Sequence, residues 1–166
     1  MTLSQVKSLN VDSGAYISRY AGTKVPTMEE ALHVAKKWGM SVILEVKKIN
    51  NPNNLSRIIK IIKDLGMLNY VKILAPISTC ITMKGLESNI EYGGFLKSFD
   101  DIEQALPLLP YAHVSLEKKA ITKDGIDMAH DLGFKVGVWT LNYDDVDLSQ
   151  VLQSFGIDYI TGTVMS

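Results

Sequence analysis

Apolar and polar residues alternate along the chain with two different periods, which together predict a repeating strand–helix architecture. Short apolar runs predict strands, and stretches with apolar residues at helical spacing predict the helices between them. The predicted strands are 41–47, 71–75, 94–96, 112–116, 135–140 and 158–161. The predicted helices after the first are 54–65, 79–89, 100–108, 122–132 and 144–155. Strands that alternate with helices in this way predict a parallel sheet.

The first helix is delimited by signals at both ends. Thr27 and Glu30 form a capping box after Pro26, which predicts the start of the helix. Gly39 followed by an apolar residue predicts its end, because glycine adopts the left-handed conformation that closes a helix. The same glycine–apolar pair precedes three later strands, at Gly66-Met67, Gly133-Phe134 and Gly156-Ile157.

The distribution of residues between the two faces of each strand favours a barrel over an open, doubly wound sheet. Central strands of an open sheet are apolar on both faces. In the strand 41–47, however, Val42, Leu44 and Val46 share one face, whereas Glu45 and Lys47 lie on the other. We expect the apolar face to pack on helices and the polar face to line a barrel lumen. A complete barrel has eight strands and about 250 residues, so we predict an incomplete TIM-type (β/α) barrel with about six of the eight strands.

Composition limits the possible organisation and partners. The chain has 166 residues, of which 46% are hydrophobic and 21% charged, with a formal net charge of -1. This predicts a single domain over residues 1–166 and gives no reason to expect binding to nucleic acid. Cys80 is the only cysteine, so no disulfide can form within the chain. The sequence contains no apolar run of about 20 residues, so we expect no transmembrane segment and a soluble, cytoplasmic protein.

Glu45 and Lys47 are the strongest candidates for chemistry. They are two residues apart on a predicted strand, so their side chains point to the same side. Both lie at the carboxyl end of the strand, where barrel enzymes place their active sites. A carboxylate there would suit a hard cation, and a lysine would suit a phosphate oxygen. On spacing alone, a salt bridge between the two inside the lumen is the more common arrangement, and both roles stay open.

Trp139 and the three histidines complete the set of candidates. Trp139 ends its predicted strand and would either wall a substrate pocket or, more commonly, be a large core residue with its indole N–H satisfied. His33 and His130 lie among charged helix residues and are predicted to be solvated, whereas His113 is predicted to face the lumen early in its strand. The sequence shows no His, Cys, Asp and Glu cluster with metal-binding spacing and no glycine-rich phosphate loop.

Several segments of the chain resemble the glycerophosphodiester phosphodiesterases, and they occur in the order found in that family. KVPTMEEAL at 24–32 resembles the family's iPTleEaL segment, and ILEVK at 43–47 resembles its iEiK strand. VGVWTLN at 136–142 resembles the v-x-vWTvN strand, and GIDYIT at 156–161 resembles the closing GvDyI-T strand. Residues 9–14 also fit the loop that precedes iPTleEaL, so the resemblance extends over nearly the whole chain.

The resemblance implies a metal-dependent phosphoric diester hydrolase that cleaves glycerophosphodiesters to glycerol 3-phosphate and an alcohol. Glu45 matches the family's remaining metal-binding glutamate, for Ca²⁺ or Mg²⁺. Lys47 matches the nearby lysine and Trp139 a tryptophan of the substrate wall, so these two are the expected substrate-binding residues. The substrate would be a glycerophosphodiester or another small molecule derived from a phospholipid.

The same comparison shows which family motifs have no counterpart here. The family's His-Arg-Gly motif and Glu-x-Asp pair, followed by a further histidine, belong to two earlier β/α units that this sequence lacks. No catalytic residue is therefore assigned, and one carboxylate would not hold a metal firmly, since Ca²⁺ and Mg²⁺ take about six ligands. Gly162 and Thr163 occupy positions where the family has Thr-Asp, and residues 75–78 do not reproduce its Ser-Phe pair.

Three interpretations remain open. The first is a truncated phosphodiesterase that is inactive alone and whose barrel is completed by self-association or by a partner chain. The second is a non-catalytic structural or interaction module derived from that barrel. The third is an unrelated open α/β protein that binds a small ligand.

Overall fold

The computed structural model describes residues 1–12, 16–47, 49, 51–141 and 146–162. It divides into two compact units, Met1–Met40 and Ser41–Ser166. The single domain over residues 1–166 stays a prediction.

The first unit contains two helices, α1 (Leu3–Ser8) and α2 (Met28–Lys37), with a short 3-10 turn at Ile17–Tyr20 between them. The predicted capping box of α2 is confirmed. The Glu30 backbone N–H donates to Thr27 Oγ1 at 3.1 Å, and the Thr27 N–H donates to Glu30 Oε2 at 2.8 Å. Glu30 also pairs with Lys7 Nζ at 2.6 Å, which links the two helices.

The second unit is a six-stranded, entirely parallel sheet in which the strands lie in chain order, β1-β2-β3-β4-β5-β6. A doubly wound sheet reverses direction at a switch point, as in the order 3-2-1-4-5-6, so sequential order excludes that architecture and confirms the incomplete TIM-type barrel. The strands are β1 (Val42–Glu45), β2 (Val71–Ala75), β3 (Glu91–Phe95), β4 (Ala112–Glu117), β5 (Lys135–Leu141) and β6 (Tyr159–Gly162).

Helices connect successive strands. They are α3 (Asn53–Asp64), α4 (Ile77–Leu86), α5 (Lys123–Asp131) and α6 (Val146–Ser154), with a 3-10 helix at Phe99–Leu108 between β3 and β4 and a 3-10 turn at Lys118–Ala120. No helix in the described part of the chain is both long enough and apolar enough to cross a lipid bilayer.

The apolar face of the sheet packs on the helices, as the strand pattern predicts. Tyr92 is fully buried and donates its hydroxyl to the Met83 carbonyl of α4 at 3.1 Å. A Cβ added to Gly94 would lie 2.7 Å from Ile77 of α4. The strand register places the other outward residues in the same rows; they are Val71, Ile73, Ala75, Ala112, Val114, Leu116, Val136 and Val138, all buried.

The predicted glycine closures are present at the helix ends. Gly66 has φ 64° and Gly133 has φ 92°, values that only glycine adopts without strain. This turn lets the next N–H reach back into the last helical turn. Met67 donates to the Ile62 carbonyl at 3.0 Å, and Phe134 donates to the Ala129 carbonyl at 2.9 Å. Both apolar residues are buried, so each closure also directs the chain into the following strand.

Several element boundaries differ from the prediction. β3 begins at Glu91 rather than at residue 94, because a charged residue and paired glycines obscure the strand pattern. α4 starts directly after Pro76, two residues before the predicted start. The predicted α-helix 100–108 is a 3-10 helix, in which Pro107 cannot donate a backbone hydrogen bond. The predicted helix 144–155 begins at residues outside the described part of the chain.

Gly125 and Gly85 test whether packing or helix propensity decides the stability of these helices. Both are helical, but a Cβ at Gly125 would lie 2.1 Å from the Phe99 ring, whereas a Cβ at Gly85 would meet nothing within 4 Å. We expect Gly125→Ala to lower the free energy of unfolding by about 1–3 kcal/mol through overpacking. Gly85→Ala, the matched control, should raise it by up to about 1 kcal/mol. Urea unfolding measures both, and equal effects would contradict this packing.

Candidate functional site

A carboxylate on β3 organises the amino-terminal part of the concave face. Glu91 Oε2 pairs with Lys72 Nζ of β2 at 2.8 Å and with Lys135 Nζ of β5 at 3.1 Å. Its Oε1 lies 3.0 Å from His113 Nδ1 of β4 and accepts the Tyr159 hydroxyl of β6 at 2.9 Å. One side chain on β3 therefore contacts side chains of four other strands. We call these five residues the Glu91 network.

The contacts of the Glu91 network also show that the sheet is curved. β3 and β6 are three strand spacings apart, about 14 Å in a flat sheet. Side chains standing perpendicular to a flat sheet would not meet across that distance, yet Glu91 and Tyr159 are hydrogen-bonded. The sheet must curve so that its concave side chains converge, as they do in a barrel lumen.

Burial and hydrogen bonding act in opposite directions on Glu91. Burial alone would raise the pKa of this carboxyl group, but hydrogen bonds from His113, Lys72, Tyr159 and Lys135 together hold its pKa well below the usual range. The hydrogen bond with Tyr159 and the pairing with Glu91 raise the pKa of Lys135 despite its partial burial. Glu91 is therefore ionised and both lysines are charged at neutral pH, so one carboxylate pairs with two ammonium groups within the Glu91 network.

His113 faces the lumen, as the sequence indicates. It is 2% exposed, and its ring lies over Gly93, where an added Cβ would come within 2.0 Å of Nε2. Its ring also makes an edge contact with Tyr159, with ring centroids 5.2 Å apart. Because this position is near the amino-terminal end of β4, His113 belongs to the structural Glu91 network rather than to the carboxyl edge.

The carboxyl edge of the concave face contains the predicted pair. The register aligns Glu45 with Leu74, which lies in the row of Gly93 and His113, so Glu45 is on the concave face. Glu45 Oε1 and Lys47 Nζ are 3.7 Å apart. This ion pair is the arrangement that their spacing favours, and both side chains are exposed because β1 is an edge strand. Their binding roles stay predictions.

Trp139 lies on the same edge, four strands from Glu45. Its ring meets Phe95 of β3 edge-on, with centroids 6.4 Å apart. The indole N–H is buried and has no hydrogen-bond partner among the described residues, so the expected satisfied N–H is not found. Phe95 also lines a cavity of about 450 Å³ with Pro76, Ile77 and Ser78, a volume within the range of small-ligand pockets.

The residues on this edge do not by themselves fit a firmly bound Ca²⁺ or Mg²⁺. Within the described ranges, no group of three or more His, Cys, Asp or Glu side chains is arranged to hold a metal ion. Glu45 is engaged with Lys47. Glu117, at the carboxyl end of β4, is engaged with Lys119 at 2.7 Å.

The structure shows hydrogen-bond partners for three residues, Glu91, Tyr159 and His130, that the sequence pattern did not indicate. Glu91 lies in a segment that does not have the pattern of a strand. Tyr159 was assigned only to the final strand. His130 is exposed, as predicted, and its Nε2 also lies 2.9 Å from Asp158 Oδ2, an oxygen that accepts the Val136 N–H at 2.8 Å. The sequence signal for all three is weak because their partners are far away along the chain.

Cys80 and His33 behave as their sequence context suggests. Cys80 is fully buried, and burial raises the pKa of its thiol to about 12. Its thiol donates to the Gly93 carbonyl at 3.1 Å, so it is a packing residue rather than a nucleophile. His33 is exposed on α2.

The fold matches solved structures of glycerophosphodiester phosphodiesterases. A phosphodiesterase from Oleispira antarctica, solved in complex with the product sn-glycerol-3-phosphate, matches with a TM-score of 0.81 and 20% identity, over 98% of this chain and 66% of that one. The Parabacteroides distasonis enzyme matches with a TM-score of 0.77, 21% identity and the same coverages. The Agrobacterium tumefaciens enzyme matches with a TM-score of 0.73 and 18% identity, over 98% and 68%.

These matches confirm the fold that the sequence resemblance implies. This chain spans about two thirds of the length of the matched chains. No protein-family model matches the sequence, and no curated protein matches it. At identities near 20%, the shared property is the architecture of the barrel.

Replacing Glu91 tests the Glu91 network. Glu91→Gln leaves two lysines without their carboxylate, so we expect a loss of about 3–5 kcal/mol in the free energy of unfolding at pH 7. As a matched control, Asp64→Asn removes an exposed pair with Lys60 and should cost about 0.5 kcal/mol or less.

The effect of Glu91→Gln should depend on pH. The folded pKa of Glu91 lies below its unfolded value of about 4.3. The ionised group therefore stabilises the fold above that pH, and this contribution is lost as the pH falls through the folded pKa. Urea unfolding between pH 7 and pH 3 should show the difference between wild type and Glu91→Gln narrowing below about pH 4.3. A constant difference would show that Glu91 does not act through its charge.

Proposed function

We propose that this chain is the six-stranded part of a glycerophosphodiester phosphodiesterase barrel, and that Glu45, Lys47 and Trp139 form its share of a phosphodiester site. The observation that carries the proposal is the match, over 98% of this chain, to a phosphodiesterase solved with sn-glycerol-3-phosphate. The placement of Glu45 and Trp139 on the concave face near its carboxyl edge adds support, because barrel enzymes build their sites there.

Each of the three residues has a distinct role in this proposal. The Lys47 ammonium binds a phosphate oxygen of a glycerophosphodiester. The Glu45 carboxylate supplies one oxygen ligand to Ca²⁺ or Mg²⁺. Trp139 walls the site with its indole ring. One carboxylate among about six ligands leaves the metal weakly bound, so no catalytic step is assigned to this chain alone.

Hydrolysis by the complete site would need groups that this sequence lacks. The family's acid/base histidines lie in the His-Arg-Gly motif and after the Glu-x-Asp pair, and neither motif occurs in these 166 residues. A positioned acid/base pair contributes about 10²–10⁴ in rate. The chain therefore works as a phosphodiesterase only together with another polypeptide segment that supplies them.

A non-catalytic structural or interaction module is the second candidate. It is favoured by the absence of a metal-binding cluster within the described residues and by the Glu91 network, whose ionised groups pair with one another. Such a module would keep the barrel geometry without using its carboxyl edge, so ligand binding at that edge separates the two candidates.

We expect the isolated chain to bind sn-glycerol-3-phosphate at millimolar concentration but to release none from glycerophosphodiesters, with or without Ca²⁺ or Mg²⁺. Trp38→Phe removes the other tryptophan, so that fluorescence reports Trp139. Lys47→Gln should abolish the change in fluorescence, whereas Lys60→Gln, an exposed lysine on α3, should not. A non-catalytic module would show no change in Trp139 fluorescence on addition of sn-glycerol-3-phosphate, with or without the lysine substitutions. Hydrolysis that disappears in Glu45→Ala would contradict the assignment of an inactive chain.

We also propose that the chain self-associates through its sheet edges. Among the described residues, β1 and β6 each pair with one strand only, and open strand edges invite pairing with other chains. Sedimentation over a concentration series should show an increasing mass. Ile43→Lys places a charge on the edge strand and should reduce the self-association, so that the mass increases less with concentration. Ile81→Lys on α4 is the matched control, since both isoleucines are about equally exposed, at 41% and 40%. A monomer at every concentration would contradict the proposal.

A further inference from the structure

A groove on the outer surface of the second unit has a chemistry that neither the barrel nor the candidate site uses. It runs between the 3-10 helix Phe99–Leu108 and α5 and encloses about 590 Å³. Its lining is divided equally between apolar and acidic side chains: Ile102, Leu106, Met128 and Leu132, and Glu103, Asp124, Asp127 and Asp131. None of the described residues that line it is basic.

The floor of the groove is apolar and accessible. Leu106, Met128 and Leu132 are each about 40% exposed, while Ile102 beneath them is buried. Met128 and Leu132 are four residues apart, so they lie one above the other along the groove. Methionine also adapts its shape to different partners. This floor is suited to the apolar stripe of another element.

The rim of the groove carries uncompensated negative charge. Asp127 pairs with Lys123, but in the described part of the chain no ion pair is formed by Glu103, Asp124 or Asp131. Asp124, Asp127 and Asp131 are spaced by three and four residues on α5, so they lie on one side of the helix. The arrangement creates a negative surface around an apolar floor.

We propose that this groove binds a basic amphipathic helix of a partner protein. A helix lays its apolar stripe into a groove of this kind with anchors at i, i+3, i+4 and i+7, and flanking lysines or arginines would meet the acidic rim. The nine residues of α5 span about 13 Å at 1.5 Å per residue, which corresponds to two or three turns of such a helix.

A second copy of this chain is a poor occupant. Its own strongly basic helix is α3, with Arg57, Lys60 and Lys63. Leu55, Ile59 and Ile62 of α3 are buried and Ile58 and Ile61 are only partly exposed, so a copy could offer the groove charge but little apolar surface. Charge complementarity together with the exposed floor therefore favours a different protein.

The test uses the full chain and two labelled helical peptides with identical leucine stripes, one with lysine and one with glutamate at the polar positions. Fluorescence anisotropy should give a dissociation constant at least tenfold lower for the lysine peptide, rising with salt concentration. The triple variant Glu103→Gln, Asp124→Asn, Asp131→Asn should weaken its binding about tenfold. The double variant Met128→Ser, Leu132→Ser should also weaken binding of the lysine peptide about tenfold. A purely electrostatic association would not be weakened by this double variant.

The control variant Glu29→Gln with Asp64→Asn removes exposed carboxylates elsewhere and should leave binding unchanged. Thermal unfolding of each variant verifies that the fold is retained. Equal binding of the two peptides, or equal effects of the groove and control variants, would overturn the proposal. A change in sedimentation caused by the groove variants without peptide would assign the groove to a second copy instead, which also overturns it.

Discussion

The carboxylate of Glu91 is the interaction on which the concave side of this molecule depends. It lies on β3 and contacts side chains of β2, β4, β5 and β6. Ionised carboxylates are costly to bury without partners, so Glu91 is tolerated only where two lysines, a histidine and a tyrosine converge on it. They converge only in a curved sheet with this strand order. The Glu91 network therefore couples the electrostatics of the lumen to the curvature of the barrel.

The two ends of the concave face differ in how completely their polar groups are satisfied. At the amino-terminal end, the groups of the Glu91 network are partners of one another. At the carboxyl end, Trp139 has an unpartnered buried N–H among the described residues, and Glu45 and Lys47 are joined only by an exposed pair 3.7 Å long. Exposed pairs contribute little stability. In barrels, stability is concentrated at the amino-terminal face and chemistry at the carboxyl face, and the paired polar groups of this chain are concentrated at the amino-terminal end.

The outer side of the sheet is held together by apolar packing, unlike the lumen, where polar contacts predominate. The helices cover the apolar faces of the strands, and small residues allow close contacts where an added Cβ would overlap, as at Gly94 against Ile77 and Gly125 against Phe99. These contacts depend on shape rather than on particular chemical groups. Such a core tolerates extensive substitution if volume and pattern are kept, which explains how TM-scores near 0.8 coexist with identities near 20%.

The sequence by itself determined the order of strands and helices, because periodicity, capping residues and glycine closures are local signals. Thr27 with Glu30, and Gly66 with Met67, act within one turn of chain. It also indicated the two faces of each strand, because side chains alternate with period two. The start of β3 at Glu91 was not predicted, since its strand character comes from pairing with β2 and β4 rather than from its own residues.

Only the tertiary structure decided which polar groups meet. The partners of Glu91 lie between 19 and 68 residues away along the chain, and no local pattern relates them. His130 is exposed on its helix, as the sequence predicts, but its partner Asp158, 28 residues later, was not predicted. The groove beside α5 likewise requires the 3-10 helix at Phe99–Leu108 next to it. Local periodicity specifies elements, but contacts between distant residues arise only when the elements pack, and the lumen of this barrel consists of such contacts.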